Sequence, residues 1–305
     1  MLNAGLTYDI LDWLSVSGRI RIDNAETEYT EKLYASTEPT IAEGSENGYY
    51  GTSTIKDKQL YGDVLLNINK TFGEDWSLQA NVGAAISDTR KSASQMRGPI
   101  RADGLPNVFN VFQLDNATTH RQQEGWREQY QSVFASAEIG YKGTYYLTLT
   151  GRNDWPSQLA GPHSVSASFF YPSVGGSVVL SQLVPRMPEN LSYVKIRGSW
   201  ASVGLPFARF LAYPTYEWDA SQNVWKPQSA YPMYELKPER TNSWEVGLTM
   251  RFLKHFSLDV SYYDTKTFNQ TFDPQISASS GYSKFYVQTG SVRNRGVELA
   301  LGYKN

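Results

Sequence analysis

The sequence predicts an all-β chain, an antiparallel transmembrane β-barrel wall of about eleven strands, on three observations. Apolar residues recur at every second position in short runs. The links between those runs alternate between short and long. Aromatic residues stand in pairs around the short links. A strand places successive side chains on opposite faces, so the first observation means one greasy face and one wet face per run.

The alternation is clearest in Leu14 to Ile22, where Leu14, Val16, Ile20 and Ile22 interleave with Ser15, Ser17, Arg19 and Arg21. It returns in Leu60 to Ile68 and in Trp76 to Ile86. Further runs cover Val133 to Tyr141, Tyr145 to Gly151, Val194 to Trp200, Trp244 to Phe252, Phe256 to Tyr262 and Val297 to Tyr303. Alternation alone also fits a β-sandwich, so the connections decide. Short links fall at Ile10 to Asp12, Gly73 to Asp75, Lys142 to Thr144 and Leu253 to His255, with a longer one at Gln182 to Asn190. Long links lie between them, at about 24 to 58, 89 to 128, 154 to 167, 204 to 241 and 269 to 286. Transmembrane barrels have short periplasmic turns and long extracellular loops. A sandwich has no reason to show that asymmetry.

Tyr8 and Trp13, Phe72 and Trp76, Tyr141 and Tyr145, and Phe252 and Phe256 each flank a short link. Aromatic rings with polar edges gather where a protein leaves the hydrocarbon, so these pairs mark one membrane boundary. Trp200 and Trp244 lie on apolar faces further along their strands. Their spacing from the turns is roughly 20 Å, close to the apolar band of about 25 Å, which predicts the opposite girdle.

Composition narrows the function classes. The 305 residues are 40% hydrophobic, 14% aromatic and 19% charged, with no cysteine and a formal net charge of −2. Without cysteine there is no disulfide framework, zinc finger or thiol chemistry. Near-neutral charge gives no polyanion-binding surface, so nucleic acid is not an expected partner. No apolar run is long enough for a membrane-spanning helix, whereas barrel strands need only about ten alternating residues. The start, MLNAGLTYDI, carries no export signal; an exported protein would have one upstream. His120, His163 and His255 are far apart and show no metal-ligand spacing, and phosphate-loop, dinucleotide and nucleophile-elbow motifs are missing. No cofactor, metal or catalytic residue is expected.

Among the charged residues, Lys195, Arg197, Glu245, Arg251 and Glu298 alternate with apolar positions and are expected to face the lumen, where opposite charges would pair. Arg152, Asn153 and Asp154 are expected to end a strand on the loop side. Arg293 to Gly296 are expected to precede the last strand as lumen salt bridges and a glycine bulge.

From residue 147 onward five ordered blocks carry a resemblance: LTLTGRNDWPSQL (147 to 159), FFYPSVGGSVVLSQL (169 to 183), LSYVKIRGSWASVG (191 to 204), LKPERTNSWEVGLTMRF (236 to 252) and SSGYSKFYVQTGSVRNRGVELALGY (279 to 303). They resemble barrel segments of the SusC/RagA family of TonB-linked outer-membrane transporters of Bacteroidetes. The resemblance implies import of an oligosaccharide or peptide through a barrel of about 22 strands, with a SusD-like surface lipoprotein at its mouth and the TonB complex pulling on a plug domain. On that reading residues 1 to 305 are a single partial barrel domain in the cell outer membrane, about half of the wall, with no plug or signal peptide in this chain. An open sheet leaves two edges that lipid cannot hydrogen-bond, so the wall is expected to continue, with edges at residues 2 to 9 and 295 to 303.

The long link 204 to 241 holds Tyr213, Tyr216, Trp218, Trp225, Tyr231 and Tyr234. Tyr216, Trp218, Trp225 and Tyr231 are the candidate contacts for substrate or partner, since aromatic faces stack on sugar rings and extended peptides alike. The other reading is that these rings pack the loop against itself or against the lipoprotein. For the whole chain the alternatives to an importer are a passive porin or surface-adhesion barrel, and a barrel-embedded hydrolase with a converging Ser/His pair.

Overall fold

The computed structural model describes residues 1–184, 188, 190–213, 215–219, 224–227, 230–231 and 233–304. Strands β1 (Leu2–Leu11), β2 (Leu14–Leu33), β3 (Tyr49–Phe72), β4 (Trp76–Pro99), β5 (His120–Tyr141), β6 (Tyr145–Pro156), β7 (Phe169–Val179) and β8 (Leu191–Leu205) follow one another. Three short loop strands come next, β9 (Tyr216–Asp219), β10 (Val224–Pro227) and β11 (Ala230–Tyr231), and then β12 (Glu239–Phe252) and β13 (Phe256–Phe268). Another three, β14 (Thr271–Phe272), β15 (Lys284–Phe285) and β16 (Val287–Gln288), precede β17 (Ser291–Tyr303).

Among the described residues eleven of these strands form one sheet, in the order β1, β2, β3, β4, β5, β6, β7, β8, β12, β13, β17. With the loop strands set aside, neighbours in space are neighbours in sequence, which is an up-and-down meander. The sheet is open: β1 and β17 stand at its two ends, where a partial wall was expected to leave its edges. No helix among the described residues is long and apolar enough to cross a membrane.

The chain divides into two compact units. One comprises residues 6–18, 63–86 and 130–305. Here the period of two sorts the side chains cleanly. On β12 the even positions Val246, Leu248, Met250 and Phe252 share a face, and on β13 so do Phe256, Leu258, Val260 and Tyr262, which the antiparallel register sets opposite them. Val297, Leu299 and Leu301 of β17 continue that face and remain 66–70% exposed. So much exposed aliphatic surface is what a lipid-facing wall presents.

The short turns carry the expected aromatics and lock to one another. Trp76 packs on Tyr141 with ring centroids 4.5 Å apart, Tyr141 on Tyr145 at 6.4 Å, and Phe252 on Phe256 at 5.6 Å. Phe256 then meets Tyr303 at 5.2 Å, and the Lys70 ammonium stands 4.3 Å from the Trp13 ring. Backbone amides also reach from one hairpin to the next. Asn69 donates to the Trp13 carbonyl, Lys142 to Asp75, Val179 to Thr144, Leu253 to Asn190 and Lys304 to His255, at 2.7–2.9 Å. Lys142 and Gly143, like Leu253 and Lys254, take positive φ, the backbone that a tight hairpin requires. At the far end of the strands Trp200 and Trp244 are direct cross-strand partners, and Trp244 packs on Tyr262 at 5.2 Å, forming the second girdle.

The other unit comprises residues 1–5, 19–62 and 87–129. It corrects the sequence reading, which assigned 24 to 58 and 89 to 128 to loops. In the structure β2 continues to Leu33, β3 begins at Tyr49, β4 runs to Pro99 and β5 begins at His120, so the loops shrink to 34–48 and 100–119. These extensions, such as DNAETEYTEKL, are polar on both faces. Water lies on either side of such a strand, and no alternation marks it. The two loops pack on each other. Ala42, Ile100 and Leu114 are buried, the Ser45 hydroxyl donates to the Ile100 carbonyl at 2.6 Å, and the Asn47 amide donates to the carbonyls of Arg101 and Ala102. Asp88 gathers the side chains of Arg90, Arg127 and Gln129.

A second correction concerns Arg293 to Gly296. They lie inside β17 in unbroken register with β13, with no bulge. Counting back by twos from Val297 places Arg295 and Arg293 on the outward face, not in the lumen. Arg293 pairs there with Asp264. Gly296 faces inward, and the Tyr263 ring lies over it so closely that a Cβ would come within 2.6 Å of the hydroxyl oxygen. Likewise Arg152 and Asp154 are inside β6 rather than at its end, and Arg152 donates to Asp154 at 2.7 Å and to the Ser132 hydroxyl at 2.7 Å.

Between the long links a small core forms from Leu159, Phe169, Phe207, Ala212 and Leu236, with Tyr171, Leu211 and Met233 against it. His163 is tied into it by backbone bonds to Ala212 and Leu236 and by ring contact with Tyr234 at 4.3 Å.

Two outcomes are expected. Gly296→Val should displace the Tyr263 ring and cost about 1–3 kcal/mol, measured as a lower temperature for loss of the folded, heat-modifiable gel mobility. Leu236→Ala, at a fully buried position, should cost about 2–5 kcal/mol, and limited proteolysis should show cutting in the 204–241 link while the wall strands stay protected.

Candidate functional site

Two features can meet a solute: the polar face of the wall and the aromatic loop beyond it. On the polar face Arg197 of β8 reaches across Gly247 of β12 to Asp259 of β13. Its two terminal nitrogens donate to the two Asp259 oxygens at 2.9 Å each, to the Thr249 hydroxyl at 3.0 Å and to Glu245 at 3.3 Å. Thr249 donates in turn to Asp259 at 2.6 Å. This is a forked guanidinium–carboxylate pair with a second acid on its flank.

Gly247 makes the crossing possible. The guanidinium lies directly over it, and a Cβ there would sit 2.6 Å from the Arg197 Cζ. Arg197 and Glu245, two of the five charges expected to face the lumen, do pair, but the principal partner, Asp259, was not among the residues singled out. It stands in the wet phase of SLDVSYYDT, with Ser257 and Ser261, so carrying the alternation one strand further would have found it. Lys195 and Arg251 turn to rings instead, Lys195 to Tyr146 at 5.8 Å and Arg251 to Tyr193 at 5.3 Å. Glu298 stands opposite Ser261 in the register.

In the loop, β9 and β10 form an antiparallel hairpin in which Trp218 pairs directly with Trp225 and Tyr216 with Pro227. The two indoles meet edge to face, with centroids 5.2 Å apart, and both stay largely exposed. Tyr216, two residues from Trp218, shares its side of the ribbon. Tyr231 goes elsewhere. It lies on β11, which runs parallel to β15, and its ring meets Tyr282 at 5.1 Å. So the structure groups three of the four candidates on one hairpin and puts the fourth with Tyr282, a residue of the 269–286 link that sequence reasoning passed over. Tyr234 packs on His163 and belongs to the loop core. Residues 220–223 lie outside the described residues.

The remaining histidines are at structural positions. His120 stands 3.4 Å from Glu43, and the His255 ring is 2.9 Å from the Lys304 carbonyl within the short turn.

Comparison with known proteins agrees with this architecture. Residues 1–304 match the family described as TonB dependent receptor-like, beta-barrel. TonB-dependent receptor P26 of Formosa agariphila is 24% identical over 285 residues, covering 90% of this chain and 28% of the relative. TonB-dependent receptor P39 of the same organism is 23% identical, covering 87% and 25%. The chain therefore spans about a quarter of the length of these relatives. Among solved structures, the RagAB peptide importer in its closed-closed state superposes with a TM-score of 0.80 at 18% identity, over 99% of this chain and 34% of that one. The Escherichia coli ferric-catecholate receptor Fiu superposes with a TM-score of 0.59 at 15% identity, over 99% and 44%. With its open meander of lipid-facing strands, two aromatic girdles and long loops on one side, the chain belongs to the β-barrel family of outer-membrane TonB-dependent receptors.

Proposed function

We propose that this chain forms part of the wall of an energised importer that takes up oligosaccharides or peptides, works through TonB and is capped by a SusD-like lipoprotein. The observation that carries the reading is the family match along residues 1–304, supported by the fold likeness to a peptide importer. The chain's role is passage rather than chemistry. The Arg197, Glu245 and Asp259 group gives the lumen a polar lining that a hydrated solute can slide past. The Trp218 and Trp225 hairpin offers an exposed aromatic platform on the long-loop side, where an arriving solute or the lipoprotein would first make contact. Between the two candidate substrates, the likeness to RagAB favours a peptide.

A passive porin would use the same wall without TonB. Uptake of labelled oligopeptides by cells carrying the full-length protein separates the two. It should cease when TonB is deleted, whereas a porin would keep admitting solute. Trp218→Ala with Trp225→Ala should weaken capture by about 1.5–3 kcal/mol. In the same uptake assay this would appear as a roughly tenfold or greater rise in half-saturating concentration with the plateau preserved. An unchanged half-saturation would leave the platform without a role in capture.

A further inference from the structure

The outward face of the wall does not end neutrally at the girdle. From the Trp244 row outward, on the long-loop side, the same face carries Arg295 and Arg293 on β17, Lys266 on β13 and Arg240 on β12. All four are exposed, and the one acid set among them is Asp264. The register makes Lys266 and Arg293 direct cross-strand partners and sets Arg295 opposite Asp264. Like charges placed directly opposite one another destabilise a sheet unless an anion lies between them.

Asp264 takes its hydrogen bonds from Arg293 and meets Arg295 as a cross-strand neighbour. It is buried, and Arg293 holds it from above, with Nε donating to both carboxylate oxygens at 2.9 and 3.0 Å and Nη2 donating to one of them. That grip fixes the Arg293 guanidinium while leaving its side chain 53% exposed. Arg240 is likewise steadied, by the Ser202 hydroxyl at 3.3 Å and the Phe170 carbonyl at 3.3 Å. The Lys266 ammonium stands 4.9 Å from the Phe268 ring. Four cations held against one carboxylate leave three positive charges uncompensated.

Position supplies the partner. Arg295 shares the register row of Trp244, and residues two apart on one strand are about 6.6 Å apart, so the cluster starts in the aromatic girdle and reaches two steps beyond it. That is the depth of lipid headgroups, and arginine forks match phosphate oxygens. We infer that Arg240, Lys266, Arg293 and Arg295 form a docking site for the phosphate groups of outer-leaflet lipids, with Asp264 positioning Arg293. The inference rests on the membrane placement of the wall and not on transport, so either can fail alone.

The test uses the full-length protein in nanodiscs of phosphatidylcholine with and without phosphatidic acid, reading retained lipid by native mass spectrometry and the unfolding midpoint in each. Wild-type protein should retain phosphatidic acid in preference and melt higher in its presence. Lys266→Gln with Arg295→Gln, which leaves the Asp264 pair intact, should reduce affinity about fivefold for each charge removed. It should leave the midpoint in phosphatidylcholine alone unchanged or raised, because a like-charge contact is relieved. Lys195→Gln, on the lumen face, should behave as wild type. Equal retention by wild type and the double variant would overturn the site, as would a double variant that melts lower in both lipids. Indifference of the wild-type protein to phosphatidic acid would overturn it as well.

Discussion

A peptide group in hydrocarbon has no water to bond to, and leaving it unpaired costs several kcal/mol. That constraint dictates most of what the chain does between its two girdles. Each strand must be paired along its whole apolar stretch, which is why the register from β12 to β13 and from β13 to β17 runs without interruption through the lipid-facing residues. It also explains why consecutive strands are neighbours. A three-residue turn brings the next partner into place at once, whereas a crossover would leave a strand unpaired.

Pairing fixes parity, and parity sorts the chemistry. A strand locked in register has no freedom to turn one residue around, so Arg197, Glu245 and Asp259 face the wet side together while Val246, Val260 and Leu299 face lipid. Within the wet face, space is made by absence of side chain. Gly247 lets a guanidinium lie flat across the sheet, and Gly296 does the same for the Tyr263 ring. Beyond the girdles the rule relaxes. Water reaches both faces, strands may be polar throughout, and loops can fold on small cores of their own, as Leu159, Phe207 and Leu236 do.

What could be read from the sequence follows the same physics. The wall and both girdles were legible, because the lipid imposes alternation there and aromatic residues mark its limits. The outer halves of β2 to β5 were not, since Asp23 to Leu33 and its counterparts have no apolar phase to betray a strand. Arg293 lies on the outward face and not in the lumen because it shares the phase of Val297, two steps along the same strand. The aromatic hairpin was legible as a composition of rings, but not as a pairing of Trp218 with Trp225, which depends on a register that loop sequence does not encode.

The relay of amides along the short turns has a consequence for how the wall is assembled. Each hairpin ends with a free carbonyl, on Trp13, Asp75, Thr144, Asn190 or His255, that accepts an amide from the strand or turn that follows. A completed hairpin is thus a template whose rim already specifies the register of its successor. Growth by successive addition at one seam would carry that alignment forward, so an error of one residue at any turn would be copied into every strand laid down after it.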